Sequence, residues 1–446
     1  MRFFNKILIA NRGEIALRII KTCKRLGIET VAAYSEADVN APFVNEATEA
    51  VCIGEGHAKK SYLNIERIIQ VAKEKNVDAI HPGYGFLAES PQFVNECEKE
   101  AITFVGPKAD VITLMGSKVQ SRHKMYEAGI PVVPGSEKSM ETLEQALVFA
   151  EEIGYPLLLK ASAGGGGIGM KLVNNAEELR NNFYSTKKQA EQFFGDDTLY
   201  IEKLISNPRH IEVQIAADRH GNIVHLFERE CSIQRRHQKV IEEGPSPYLD
   251  EELRKKLFQT VLLGVKHIGY TNLGTMEFIF DGDKNFYFLE MNTRLQVEHP
   301  VTEEITGLDL VEWQLRIAAN EELPLKQEEI KKHGHAIEAR LYAEDPKTFF
   351  PSPGKIKRLR LPDEKGRFDF GVVEGSEVTP FYDPMIGKII VHEDTRVAAI
   401  RKMRNVLANI EVQGSKTNLP LLEKIVEDVD FQQGDYTTNF LTSKSV

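Results

Sequence analysis

Short apolar runs alternate with amphipathic stretches along the first hundred residues. Residues 6–10, 30–34 and 102–105 form compact apolar runs that predict strands, and 79–80 forms a shorter one. Between them, apolar positions recur at helical spacing over 14–26, ended by Gly27, and over 65–75. This βαβα order predicts a parallel sheet with helices on both faces. The first turn, Asn11-Arg12-Gly13-Glu14, lacks the GxGxxG spacing of a dinucleotide loop. The sheet is therefore expected without a dinucleotide on it.

The pattern changes near Gly116. Apolar segments at 155–160, 199–201, 210–216, 223–228, 275–280 and 286–291 follow one another at short spacing, which predicts an antiparallel sheet. From about His335 the chain mixes strands, at 336–342 and 386–392, with a helix over 397–409. The stretch 346–354, rich in Pro and Gly, reads as an ordered loop. A length of 446 residues exceeds what one core organises and suits two to four packed domains; the changes of pattern divide the chain into 1–115, 116–333 and 334–446.

Charge and composition narrow the function. A formal net charge of −10 argues against a general nucleic-acid binder, which needs a basic face. It leaves room for anionic substrates, because a few cations in a cleft dominate locally. Cys23, Cys52, Cys97 and Cys231 stand far apart without a CxxC pair, as expected of free thiols in a reducing compartment. The apolar run Ile7-Leu8-Ile9-Ala10 is too short for a signal-peptide core, and no stretch is long enough to span a bilayer. A cytoplasmic protein that binds neither membrane nor nucleic acid is expected.

Candidate chemistry lies in the second region. Gly164, Gly165, Gly166, Gly167 and Gly169 make a loop whose amides could approach phosphate oxygens, or a plain surface hairpin. No GK[ST] follows it, so it is not a P-loop. Lys160, at the end of the preceding apolar run, could reach a phosphate. In Leu199-Tyr200-Ile201-Glu202-Lys203-Leu204-Ile205, two charges interrupt an apolar strand, which suits either an adenine pocket or an exposed edge. Glu277 and Glu290 fall on successive predicted strands and can face each other across a ladder. With Asn292 they offer hard oxygen donors for Mg²⁺ or Mn²⁺. Arg294, Gln296 and Glu298 alternate with Thr293, Leu295 and Val297, so extended backbone would send the three polar side chains to one face. That face either lines a polar cleft or is exposed. The run from Gln234 to Lys239 is basic and could be an anion site or a loop balanced by Glu242 and Glu243. Arg340, a lone charge in a strand, reads as structural on its own.

Together these segments resemble the biotin carboxylase family, an ATP-grasp ligase group, along nearly the whole chain. The matching stretches are Ile9-Ala10-Asn11-Arg12-Gly13-Glu14-Ile15-Ala16, His81-Pro82-Gly83-Tyr84-Gly85-Phe86-Leu87, the glycine loop and Gln234-Arg235-Arg236-His237-Gln238-Lys239. The stretch 290–303, Ala343-Glu344-Asp345-Pro346 and Lys416-Thr417-Asn418 complete the match. The resemblance implies an α/β and α+β architecture. Its parts would be a doubly wound N-terminal domain, an ATP-grasp domain with a glycine-rich lid over about 132–203, and a C-terminal α+β domain.

The resemblance also implies roles. Lys118, Lys160, Gly166, Gly167, Glu202, Lys203, Leu204, Ile205, His210, Gln234 and His237 would hold ATP. Glu277, Glu290 and Asn292 would hold two divalent cations, Mg²⁺ or Mn²⁺. Lys239, Arg294, Gln296, Val297 and Glu298 would hold bicarbonate, with Glu298 as general base. Arg340 would sit by the biotin ureido oxygen, and Tyr84 would line the biotin approach. Ile168 stands where the family usually has Arg or Lys, so the lid lacks that cation. No Ala-Met-Lys-Met biotinylation motif and no room for a carboxyltransferase are present. The resemblance therefore implies a homodimer serving an acetyl-CoA or acyl-CoA carboxylase, with a separate biotin carboxyl carrier protein and carboxyltransferase.

Overall fold

The computed structural model describes residues 4–136, 138–162, 169–363 and 366–444. Gly164, Gly166, Gly167 and Ile168 of the expected lid loop lie outside the described residues.

The first region is a parallel sheet of β1 (Lys6–Ile9), β2 (Glu29–Ser35), β3 (Glu49–Gly54), β4 (Ala79–His81) and β5 (Thr103–Phe104), in the order β3-β2-β1-β4-β5. Helix Gly13–Leu26 ends where Gly27 takes a left-handed φ of 69° and its N–H caps the Cys23 and Lys24 carbonyls. The strands expected from the sequence do not include β3, although Ala50-Val51-Cys52-Ile53 is a short apolar run; most of its residues are only half-buried. Strand order reverses between β1 and β4, and a crevice opens at such a switch point. There the Asn11 amide donates to the Pro82 and Tyr84 carbonyls, both at 2.7 Å. Gly83 has φ +62°, and a Cβ on it would meet Asn11 Nδ2 at 2.9 Å. This lock fixes the loop that ends at Glu89.

The small antiparallel unit joins β6 (Leu157–Ala161), β7 (Met170–Val173) and β8 (Leu199–Lys203) in the order β7-β6-β8. Helices Leu143–Ile153 and Ala176–Phe194 supply the other half of its core, around Leu157, Leu159, Phe183 and Ile201. Thr142 and Gln145 form a reciprocal capping box at the first of these helices.

The largest sheet carries the site. It consists of β9 (Arg209–Ala217), β10 (Ile223–Arg235), β11 (Gln238–Gly244), β12 (Asn272–Phe280), β13 (Phe286–Asn292), β14 (His335–Tyr342) and the strands Met385–Glu393 and Arg367–Phe370. Their order is β13-β12-β9-β10-β11-β14, then Met385–Glu393 and Arg367–Phe370, all antiparallel. The sheet runs through residue 333, since β11 pairs with β14.

Antiparallel strands often keep one face in water. Here every residue of β9 and of β14 is buried. Ile211, Val213, Ile215 and Ala217 of β9 enter an apolar core under helix Glu251–His267, so the alternate positions His210, Glu212 and Gln214 fall on the opposite face. In β14, Ile337, Ala339 and Leu341 likewise enter an apolar core, leaving Glu338 and Arg340 on the other side. The second face is therefore polar and buried, and each charge on it needs a partner.

The same constraint anchors the C-terminal segment. The Glu243 carboxylate lies 2.5 Å from His335 Nε2, accepts from Arg396 Nε and Nη2 at 2.6 and 2.8 Å, and accepts from the Tyr436 hydroxyl. Burial alone would raise this carboxyl, but His335 and Arg396 hold it at about 2 against an ordinary 4.5. A lowered value means stability that is present above pH 4.5 and lost as pH falls toward 2. Glu243→Gln is expected to lower unfolding free energy by about 3 kcal/mol at pH 7 in urea titrations. The gap to the parent protein should narrow below pH 4.5.

Candidate active site

A cavity of about 750 Å³ opens on the polar face, between the small antiparallel unit and the large sheet. Its hub is Lys239. The ammonium donates to Glu212 at 2.5 Å, Glu277 at 2.9 Å and Glu298 at 2.6 Å. Burial alone would lower the Lys239 pKa, but the three carboxylates hold it well above its ordinary value. The spacing that delivers Lys239 comes from a two-residue hairpin. Arg235 and Gln238 pair across β10 and β11, and Arg236 and His237 both take left-handed φ, at 48° and 66°. The basic run of the sequence is thus a turn that brings both His237 and Lys239 to the cavity wall.

Arg294, Gln296, Val297 and Glu298 line the same cavity, so the cleft reading of this segment holds. Its backbone differs from the expectation. The strand β13 ends at Asn292, and residues 293–298 bend and turn into helix His299–Thr306, with Glu298 as N-cap and Pro300 in the first helical turn. A turn, not an extended alternation, gathers the polar groups, which is why Val297 joins them. Arg294 Nη2 donates to Asn292 Oδ1 at 2.8 Å. Arg340 donates from Nε to Glu242 at 2.6 Å and from Nη2 to Glu298 at 3.0 Å. It lines the cavity together with Arg294 and Glu298. Burial would raise the Glu298 carboxyl, yet Lys239, Arg340 and Arg229 hold it far below the carboxylate range.

At the other end, Lys160 and Arg122 both pair with the buried Glu202, Lys160 at 2.5 Å. Lys118 stands 3.7 Å from Glu290. Lys203, Leu204, Ile205, His210 and Gln234 complete this wall. The Lys203 ammonium binds the Ile153 and Gly154 carbonyls at 3.3 and 3.0 Å, closing the end of helix Leu143–Ile153. Gln234 Nε2 sits 2.8 Å from His210 Nδ1. Tyr84 is not in the wall. Its hydroxyl donates to Glu14, behind the cavity, and burial beside that carboxylate raises it well above the usual phenol range.

Glu277 and Glu290 are direct register partners on β12 and β13. Glu277 accepts from Asn292 Nδ2 at 2.7 Å, and its other oxygen lies 2.6 Å from His210 Nε2. Two carboxylates and an amide at one end of a ladder are a hard-oxygen set, as Mg²⁺ or Mn²⁺ requires. Two further clusters bring donor atoms within 4.8 Å of one another: His210, Glu212 and Glu277, and Glu212, Cys231 and Glu298. Carboxylates of both already face the Lys239 ammonium, which does there the neutralising that a metal would do.

Comparison with known proteins agrees with this geometry. Residues 3–112 match the biotin carboxylase N-terminal domain and 338–443 the biotin carboxylase C-terminal domain. Residues 117–326 match the ATP-binding domain of the carbamoyl-phosphate synthase L chain. Biotin carboxylase 2 of Bacillus subtilis is 60% identical, over 98% of this chain and 99% of its own length. The chain belongs to the biotin carboxylase family. Biotin carboxylase of Haemophilus influenzae is 51% identical over 98% of each chain. A solved dimer of the biotin carboxylase domain of Hydrogenobacter thermophilus 2-oxoglutarate carboxylase, in complex with MgADP, ADP and bicarbonate, has a TM-score of 0.97 at 50% identity. It covers 99% of this chain and 98% of its own. Campylobacter jejuni biotin carboxylase, solved as a β-γ-ATP complex, gives a TM-score of 0.97 at 46% identity, covering 99% of each chain.

Within this biotin carboxylase fold, four residues bond to the expected site residues, three of them unmarked by the sequence and the fourth, Glu242, marked there only as a balancing charge. Glu212 shares Lys239 with Glu277 and Glu298. Arg229 donates to Glu212 at 2.6 Å and to Gln296 Oε1 at 2.6 Å, which fixes the Gln296 amide so that it donates to Glu277 at 2.7 Å. Glu242 holds Arg340. Glu89, from the loop after β4, accepts from Arg294 Nε at 3.0 Å and from the Thr293 backbone at 3.1 Å. The expected strand 210–216 does contain Glu212, while Arg229 falls just past the expected 223–228 in a β10 that runs on to Arg235, and alternating polar positions also describe a solvated face.

Glu89 is 40% exposed, so its pair with Arg294 adds little stability. Its work is aim. Glu89→Gln is expected to lower kcat/KM for ATP-dependent biotin carboxylation by roughly tenfold to a hundredfold, the scale of a misplaced reacting group. The urea midpoint should stay near that of the parent.

Proposed function

We propose that this ligase uses ATP and bicarbonate to carboxylate the biotin of a carrier protein, through carboxyphosphate. The observation that carries the reading is that Lys239, Glu298 and Arg340 form one bonded chain beside Arg294, in the same cavity as Lys118, Lys160, Glu277 and Glu290. A carboxylate–amine ligase of the ATP-grasp type would use the second group and has no use for the first.

The residues divide the work as follows. Lys118, Lys160 and the amides of Gly166 and Gly167 bind the phosphates of ATP, while residues 202–205, His210, Gln234 and His237 frame the nucleotide. Glu277, Glu290 and Asn292 would hold two divalent cations, which when bound screen phosphate charge and polarise the γ-phosphoryl group. Lys239 and Arg294 take bicarbonate between them, with Gln296 and the Val297 backbone completing the seat. Bicarbonate draws Lys239 away from Glu298, and the loss of that neighbouring cation raises the proton affinity of Glu298. The base becomes competent only once its substrate is seated. Deprotonated bicarbonate attacks the γ-phosphorus in line, giving ADP and carboxyphosphate. Carboxyphosphate releases CO₂ and phosphate, and phosphate takes the N1′ proton of biotin. Arg340 exchanges Glu298 for the ureido oxygen and stabilises its anion as N1′ attacks CO₂.

The wider assignment follows the family. We infer a homodimer acting with a separate biotin carboxyl carrier protein and carboxyltransferase in the cytoplasm, where free thiols such as Cys23, Cys97 and Cys231 persist. Among the described residues no helix is long and apolar enough to cross a membrane. Domain divisions near 115 and 333, with a lid over about 132–203, fit this reading.

Glu298→Gln is expected to retain ATP binding and to lose turnover by roughly a hundredfold or more. Near-normal turnover would move the base elsewhere. Arg340→Ala should lower biotin carboxylation far more than bicarbonate-dependent ATP cleavage, because its ureido contact begins after ADP forms, whereas before that it only shares Glu298 with Lys239. Equal loss of both rates would place Arg340 in the bicarbonate seat. A purified protein whose ATP hydrolysis ignores bicarbonate would remove the carboxyphosphate reading altogether.

A further inference from the structure

Two residues before Arg340 on β14 stands Glu338, on the same face of the strand. Its register partner on β11 is Glu242. Carboxylates directly opposite in a strand pair repel when both are charged, and both of these are fully buried. Glu242 has a cation, because Arg340 Nε donates to its Oε1 at 2.6 Å, but its Oε2 has no partner. Glu338 has no hydrogen-bond partner on either oxygen among the described residues.

The neighbouring ammonium, Lys388 on Met385–Glu393, is committed elsewhere. It donates to the Val297 carbonyl at 2.7 Å and lies 3.1 Å from Glu14 Oε1. An ionised carboxylate without a single hydrogen bond is costly in a buried position, whereas a carboxylic acid is neutral and brings a donor of its own.

We propose that Glu338 is a positioning residue for Arg340, kept as a carboxylic acid whose proton is turned onto the free oxygen of Glu242. Glu242 then divides its two oxygens between the Glu338 hydroxyl and the Arg340 guanidinium. With Glu338 neutral, Arg340 is held by Glu242 and Glu298 alone. An ionised Glu338 would add a third carboxylate and tighten the grip on a guanidinium that has to leave Glu298 for the ureido oxygen. The inference rests on the reading of Arg340 given above.

The surroundings favour the acid form. Burial, joined by Glu242 and Glu298 and opposed by Lys388 and Arg340, raises Glu338 well above the carboxyl range. Burial raises Glu242 to about 7. Beyond these, helix His299–Thr306 contributes His299, which burial keeps neutral. Helix Gly13–Leu26 contributes Glu14, itself raised by burial and bonded to the Tyr84 hydroxyl. Arg367–Phe370 contributes Asp369, which despite burial is held low by its partner Arg367. None of these brings an uncommitted cation to Glu338.

Infrared difference spectra of the parent protein and E338Q at pH 8 read the proton directly. A protonated-carboxyl C=O band present in the parent and missing from E338Q is expected, and its absence from the parent overturns the proposal. The pH profile reads the hold on Arg340. In the parent, the biotin-dependent rate should decline on the alkaline side as Glu338 ionises, while the biotin-independent, bicarbonate-dependent ATPase does not. In E338Q that decline should move up or vanish, with a several-fold gain over the parent at the alkaline end. Superimposable profiles would leave Glu338 a buried acid with no hold on Arg340 and overturn the positioning role.

Thermal unfolding supplies a check that needs no catalysis. A raised carboxyl contributes stability that is full below pH 4.5 and lost as pH rises through its folded value. The Tm of E338Q relative to the parent should therefore climb with pH. If E338Q fails to fold, the same difference spectrum against E338L, an apolar side chain of similar volume, decides the protonation. If the parent shows no bicarbonate-dependent ATPase, the functional reading fails while the band still stands or falls on its own.

Discussion

One ammonium makes the polar face of the large sheet possible. Glu212, Glu277 and Glu298 converge from β9, from β12 and from the cap of helix His299–Thr306, and Lys239 bonds to all three. Without it the face would carry adjacent buried carboxylates with too little countercharge, a breakage that costs about 3–5 kcal/mol for a single buried pair. The position of Lys239 depends in turn on a tight turn at Arg236 and His237, where two non-glycine residues accept left-handed backbone. Local strain, buried charge and the cavity wall are thus one arrangement. The face is polar because the site needs it and buried because helices cover it.

That burial explains what the chain disclosed and what it withheld. Glu277 and Glu290 were legible because each sits in a well-marked apolar strand and the two strands follow one another, so the ladder could be drawn from spacing alone. The parallel order of the first region was legible for the same reason. Glu212, Arg229, Glu242 and Glu338 were not. They occupy alternate positions in strands, a pattern that ordinarily marks a face in water, and nothing local says that two other regions of the chain close over it. Glu89 meets Arg294 across 205 residues, a contact that only the assembled fold creates. The segment after Asn292 was right in content and wrong in form. Its polar residues do share a cleft, but a turn into a helix gathers them where extended alternation was expected.

The site is also where the regions are joined. Arg18 of helix Gly13–Leu26 reaches Glu303 at 2.5 Å and Asp309 at 2.9 Å, and Arg367 reaches Glu303 at 2.8 Å. Lys388 links Glu14 of the first region to the Val297 carbonyl. These bonds surround the cavity on the side away from the small antiparallel unit. The cavity end lined by Lys239, Arg294 and Arg340 is therefore built on a rigid frame, as the proposed bicarbonate and biotin seats require if they are to hold reacting groups closely. The wall proposed for the nucleotide has a different footing. Its Lys160, Glu202 and Lys203 belong to a three-stranded sheet with its own core.

The ion pairs share a further design that bears on turnover. Glu202 is paired with Lys160 and Arg122, Glu212 with Lys239 and Arg229, and Glu298 with Lys239 and Arg340. In each case one cation faces the cavity as a candidate substrate ligand, and a second also holds the carboxylate. On the proposed reading, an incoming phosphate takes Lys160 and an incoming bicarbonate takes Lys239. Arg122, Arg229 and Arg340 then remain with Glu202, Glu212 and Glu298, while Glu277, which also gives up Lys239, keeps the Asn292 and Gln296 amides as donors. A single pair in the same place would make substrate binding bear the full cost of an unpaired buried charge. Arg340 is the exception, because it too must leave Glu298 later in the cycle. That departure comes only after Glu298 has taken a proton from bicarbonate and no longer needs a cation, which orders the two steps by charge alone.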